Sequence, residues 1–241
     1  MKKERPQKGN PYGLMIKQHI FPEASIKRFL DVKGNVEVKR LEAKRSFLAK
    51  PDNQIFCADF AWDHGSESGF MKKIEDQFQV LISDVLNDKV LQFSDAQNEI
   101  VTKMYILCGL RFEGNKSPIP SQKLNGVKPE NLAKDVEEIL EKKGYSYVDS
   151  NSIVSSRQMT GIQIRFDIDR ICKQMTNVNW GVLSAEIGEF IVPDNFTKYT
   201  YFPLNPTMIL AANQTNRSIG FEEVERINRN AIESSDTYFF A

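Results

Sequence analysis

Histidine is nearly absent: His19 and His64 are the only two in 241 residues. A catalytic zinc centre built on three imidazoles is therefore excluded on count. Cysteine is almost as scarce. Cys57, Cys108 and Cys172 are odd in number and far apart, which argues against a disulfide framework and against a zinc site. Each is expected to pack as a small apolar residue. No apolar run approaches the roughly 20 residues that a membrane helix needs. The opening MKKERPQKGNPYG is basic with no apolar stretch behind it. Neither a membrane span nor a signal peptide is expected, and the expected compartment is the cytoplasm. A glycine-rich phosphate loop of the P-loop or dinucleotide type is missing. The run His64 to Gly69 (HGSESG) holds a serine near a histidine, but proximity is not a triad, and the run is expected to be a flexible loop.

Net charge is also absent, with 32 basic residues against 32 acidic ones. It is unevenly spread. Residues 1–50 hold 13 Lys and Arg against 5 Asp and Glu, a balance of +8, and the remainder carries −8. Such an end is either a solvated basic tail or a positive surface that steers an anionic partner such as nucleic acid. No recognised nucleic-acid module accompanies it.

What is present is ordinary for a globular chain, with 41% apolar and 27% charged residues. One residue stands out. Over Ser94 to Phe112, Ile100, Met104, Leu107 and Arg111 recur at i, i+4, i+7 and i+11, one face of a helix. A guanidinium on an apolar stripe requires an acceptor, because unpaired buried charge is costly. A second helix is expected from about Ser68 to Asn87. There Glu75 lines up with Met71, Phe78, Ile82 and Leu86, and it is the natural partner for Arg111 across a helix hairpin.

The other expected elements are weaker. Residues 1–13 read as a flexible lead-in. Pro22 opens a short helix, PEASIKRFL. A strand is expected over Asn35 to Leu41 and loop over Ser46 to Gln54 and 113–128. Pro129 to Lys143 reads as a solvent-facing helix ended by Gly144. Residues 156–176 alternate like a strand around Ile162 to Ile168, yet run on unbroken, and are read as one helix. Val178 to Leu183 and Glu186 to Val192 read as a hairpin anchored by Trp180 and Phe190, and MILAA as a short strand. A last helix, Gly220 to Ser235, is expected to bury Phe221, Val224, Ala231 and Ile232, with Asn228 facing the same way. A buried asparagine must have its hydrogen bonds met. The expected fold is a single α+β domain over residues 14–241, with a helical middle and a C-terminal antiparallel sheet.

Several segments resemble one family. QHIFPEASIKRF near the start, Ile74-Glu75, the helix bearing Arg111, FIVPDN at Phe190 to Asn195, Pro203-Leu204-Asn205-Pro206 and the helix with Asn228 follow the order of motifs in the bacterial domain of unknown function 4238. The resemblance covers nearly the whole chain. It implies a mixed α+β fold and adds His19 and Asp194 to the candidate residues. By analogy it implies a toxic effector of anti-phage defence, with nuclease as the expected chemistry.

The candidate constellation is thus His19, Glu75, Arg111, Asp194 and Asn228. The types suit phosphodiester hydrolysis. Histidine exchanges a proton near neutral pH, arginine binds a phosphate and its developing charge, and two carboxylates can hold a divalent metal such as Mg. The expected partners are nucleic acid or a protein of a defence system, with no membrane. The alternative is a non-catalytic interaction or sensor protein whose polar cluster is structural. The first reading requires a cleft that reaches Arg111; the second requires a sealed cluster.

Overall fold

Helices form in the middle of the chain where the periodicity is strongest. In the computed structural model, which describes residues 4–43, 45–90, 92–128 and 131–241, the helices are α1 (Glu23–Ile26), α2 (Lys72–Leu86), α3 (Asp95–Lys116), α4 (Lys134–Lys142), α5 (Ser156–Gln174) and α6 (Phe221–Ser234). Ser94 starts α3 with a reciprocal capping box: its Oγ accepts from Gln97 N (3.4 Å), and Gln97 Oε1 accepts from Ser94 N (2.9 Å). This helix packs against both α2 and α5. The hairpin expected for α2 and α3 is present, and the segment expected as one helix over 156–176 is helical over Ser156–Gln174. Among the described residues no helix is long and apolar enough to cross a membrane.

The strands are β1 (Lys17–His19), β2 (Val36–Arg40), β3 (Arg45–Ala49), β4 (Cys57–Asp59), β5 (Gln122–Lys123), β6 (Ile153–Val154), β7 (Trp180–Ala185), β8 (Val192–Pro193), β9 (Tyr201–Asn205), β10 (Met208–Ala212), β11 (Arg217–Ile219) and β12 (Tyr238–Phe240). The C-terminal sheet has the order β11-β7-β10-β9. Its pairs are antiparallel except for the parallel edge pair β11–β7. A second sheet, β3-β2-β12-β8, joins the two ends of the chain in antiparallel register. Two short antiparallel pairs, β1–β4 and β5–β6, complete an α+β domain.

An aromatic core ties these sheets to the helices. Phe21 stacks on Phe196 (5.4 Å between centroids, 7° between planes) and lies beside Phe202 of β9 and Phe240 of β12. Phe78 of α2 meets Phe202 edge-on at 5.0 Å. Such pairs add to area burial alone.

Several expectations give way. The lead-in is tied down from Glu4 onward. Arg5 donates to both carboxylate oxygens of Asp59 (2.6 and 2.5 Å), and Gln7 N donates to Glu138 Oε1 (2.7 Å). Ser46 to Gln54 is not all loop, because Arg45–Ala49 pairs with β2. The hairpin expected over 178–192 does not form. Gly188 breaks the second segment at φ +94°, Phe190 N donates to the Pro206 carbonyl oxygen (2.7 Å), and Val192 passes to the other sheet. The loop over 113–128 is shortened by α3, which runs to Lys116, and by β5. In α6, Val224 and Ala231 are buried as expected, but Phe221 is 57% exposed and Ile232 is also exposed; Ile227 and Ser234 are buried in their place. Pro129 and Glu130 lie outside the described residues. The helix after them does end at Gly144, at φ +81°, but it is not solvent-facing throughout: Glu138 and Glu141 are buried.

Candidate functional site

Arg111 is 0% exposed. Its Nη2 donates to Glu67 Oε2 (3.0 Å) and its Nη1 to Glu75 Oε1. Glu67 Oε2 also accepts from Trp62 Nε1 (2.7 Å), and the guanidinium lies 5.8 Å from the Trp62 ring centre. Periodicity found Glu75 but missed Glu67, which sits in a π-helical turn, Ser66–Met71, leading into α2. In an unbroken α-helix, residues eight apart are offset by about 80° around the axis. The wider π turn offsets that angle, so both carboxylates reach one guanidinium. The turn is anchored by Asp63, whose Oδ1 accepts from Ser66 N (2.8 Å). It is therefore not the flexible loop expected for 64–69, and His64 is buried.

Burial alone would lower the Arg111 pKa, but Glu67 and Glu75 outweigh it and hold the side chain charged. Burial also pushes the neighbouring Cys108 thiol well up, which removes it as a nucleophile.

The other predicted residues are elsewhere. His19 is half-buried in β1 and its Nε2 donates to the Pro51 carbonyl oxygen (3.0 Å). Asp194 is buried and fastens β8 to β12: Oδ1 accepts from Asp236 N (2.8 Å), and Oδ2 from Thr237 N (2.9 Å), Thr237 Oγ1 (2.5 Å) and Tyr238 N (3.2 Å). Asn228 pins the 189–191 segment, accepting from Ile191 N (3.1 Å) and donating to the Glu189 carbonyl oxygen (2.8 Å). Each satisfies backbone groups that a turn leaves unpaired. Of the five candidates, only Glu75 and Arg111 meet. A divalent metal does not fit this set. Both cluster carboxylates are taken by Arg111, and among the described residues no group of three or more His, Cys, Asp or Glu side chains is placed to hold a metal.

A second arginine has a different setting. Arg157, in the first turn of α5, has a side chain that is 7% exposed. Its Nη1 and Nη2 donate to Glu141 Oε1 and Oε2 (2.7 and 2.9 Å), and its guanidinium stacks 3.7 Å from the Phe60 ring centre. Its Nε and Nη2 donate to Glu4 Oε2 and Oε1, both at 3.2 Å. Glu141 also accepts from His64 N (3.0 Å), whose ring Nδ1 accepts from Met15 N (3.0 Å). Burial would raise the Glu4 pKa; Arg157 outweighs that and lowers it.

Arg157 and Glu4 line a cavity of about 770 Å³ with Phe60, Tyr147, Lys134 and Pro118 among its other walls. The volume is that of a small-molecule site. Its walls are fixed by hydrogen bonds. Gln158 Oε1 accepts from Tyr147 N (2.8 Å) and its Nε2 donates to the Tyr147 carbonyl oxygen (3.1 Å). Ser156 Oγ donates to the Ile119 carbonyl oxygen (2.6 Å), and Ile119 N to Thr160 Oγ1 (3.1 Å). Helix α5 is held close by Gly161, where a Cβ would come within 1.9 Å of Asp63 Oδ2. Sequence reasoning missed this site although a signal exists. Arg157, Gly161, Ile164 and Ile168 are buried at i, i+4, i+7 and i+11, the pattern that identified Arg111.

Comparison with protein-family models, curated proteins and solved structures returned no match.

Proposed function

We propose that this protein acts by binding a ligand or partner, and that its Arg111 cluster is a structural clamp between α2 and α3. The observation that carries this reading is the closure around Arg111: a fully buried guanidinium whose two carboxylates are both engaged, with His19, Asp194 and Asn228 committed to backbone groups elsewhere. A hydrolytic site needs its base, its phosphate-binding cation and the reacting atoms within hydrogen-bond reach of one another. A paired measurement on His19→Ala tests the reading. Its melting temperature, its toxicity on induced expression and its cleavage of plasmid DNA in Mg are compared with those of the unmodified protein. Binding without catalysis predicts no His19-dependent cleavage. Cleavage lost at unchanged melting temperature contradicts it.

The nucleic-acid-directed defence effector is a second reading. It draws on the resemblance described above and on one surface feature. On β2, Lys39 lies 5.8 Å from the Phe239 ring centre and Arg40 5.5 Å from that of Phe47, a basic and aromatic pairing of the kind that binds single strands. It predicts affinity for a single-stranded oligonucleotide that falls steeply with salt.

A further inference from the structure

The two carboxylates on Arg157 are not equivalent. Glu141 comes from α4, its side chain is 2% exposed, and it grips the guanidinium at 2.7 and 2.9 Å. Glu4 comes from the N-terminal segment, its side chain is 30% exposed, and its two bonds are longer, at 3.2 Å each. Glu4 also faces Tyr147, whose hydroxyl donates to it at 3.4 Å, and Lys134 at 3.7 Å. Arg157, Glu4, Tyr147 and Lys134 line the same cavity.

We infer that the Arg157 cavity is a binding site for a small organic carboxylate, and that Glu4 is its built-in occupant. The inference rests on the reading of this protein as a binder. Three features point to a carboxylate. The outer edge of the guanidinium presents Nε and Nη2 to a planar, two-oxygen partner, a fork that matches carboxylate geometry. Phe60 holds one face of that fork and Glu141 its other edge, so the donors stay aimed at the cavity when Glu4 leaves. Beyond the fork, Phe60, Tyr147, Pro118, Pro120 and Ile153 give an apolar wall for the body of the ligand. The exchange conserves charge: one carboxylate replaces another opposite Arg157 and Lys134. It needs only a turn of the Glu4 side chain, because Arg5 and Gln7 keep the segment attached through Asp59, Asp135 and Glu138.

The test is a ligand-observed NMR titration with benzoate, and with benzamide as its neutral counterpart. Glu4→Gln removes the tethered competitor with little change of shape. An intramolecular competitor masks its site by its own occupancy. Benzoate is therefore expected to bind Glu4→Gln about tenfold more tightly than the unmodified chain, and benzamide to bind neither. Two further changes are made in the Glu4→Gln background. Arg157→Lys keeps the charge but loses the fork. Ser121→Trp fills the cavity from its lip and leaves the buried pair intact should the lysine variant fail to fold. Each is expected to abolish benzoate binding. The inference is overturned if Glu4→Gln does not bind benzoate, if it binds benzamide equally well, or if binding survives Ser121→Trp. A failed titration leaves the binding reading standing, whereas His19-dependent cleavage would remove that reading without touching this cavity.

Discussion

Arg111 and Arg157 each sit on the buried face of a long helix, and each holds two carboxylates and faces an aromatic ring. The difference lies in where the carboxylates come from. Glu67 and Glu75 belong to one continuous helical segment, packed on α3 and fixed before any ligand arrives. Glu141 and Glu4 belong to a helix and to a lead-in segment, and only the first is fully buried. At Arg111 the guanidinium is sealed and both of its partly exposed carboxylates are held on one helical segment; at Arg157 one of the two partners comes from the lead-in and faces a cavity. A buried arginine is thus not by itself a sign of function. The sign is a partner that can leave.

The largest effect is expected at the sealed site. Arg111→Met strands Glu67 and Glu75 beside Trp62, and urea unfolding should show a loss of about 3–5 kcal/mol. Arg157→Met also strands a buried carboxylate, Glu141, but frees Glu4 to turn to water. Its loss in the same experiment should lie near the lower end of that range, about 3 kcal/mol. Equal losses at the two arginines would break the comparison. Asp194→Ala removes the acceptor for three backbone N–H groups and one hydroxyl, and should cost about 2 kcal/mol. Its effect should be additive with Arg111→Met, as for separate sites; strong coupling would mean that Asp194 belongs to the Arg111 cluster.

The smallest effect is expected at Glu4. Glu4→Gln should cost less than about 1 kcal/mol near neutral pH, as for a partly exposed pair. The Glu4 pKa is lowered in the folded protein, so its contribution is present above the ordinary carboxylate value of 4.5 and is lost as pH falls through the folded value. Urea midpoints of the unmodified chain and Glu4→Gln should therefore converge on acidification. A gap that persists in acid would mean that Glu4 contributes through packing and not through charge.

Much of the sealed site was legible in the sequence. An apolar stripe interrupted by Arg111, with a second stripe interrupted by Glu75, is enough to pair two helices. Glu67 was not legible because its place depends on a π turn, and no periodicity marks one in HGSESG. The Arg157 site was hidden for two reasons. Ile162 to Ile168 alternates like a strand and obscures the helical stripe on which Arg157 lies. DVEEILEKK carries the composition of a solvated face, yet Glu138 and Glu141 point inward because Gln7 and Arg157, from distant parts of the chain, supply their donors. Asn228 is partly buried, as expected from its helix face, and His19 and Asp194 are partly and fully buried. Their partners are turn backbones several strands away, which no local pattern encodes. The α+β fold was legible in outline. The sheet joining β2 to β12 was not, because it pairs the two ends of the chain.

Site-resolved arginine modification tests the central claim most directly. The native protein is treated with phenylglyoxal, and labelling is followed residue by residue by mass spectrometry. Arg111 should stay unlabelled until the protein unfolds, while Arg157 labels slowly and faster in Glu4→Gln. Labelling of Arg111 in the native state at a rate matching Arg157 would contradict the account, for it would show that the two sites are open alike.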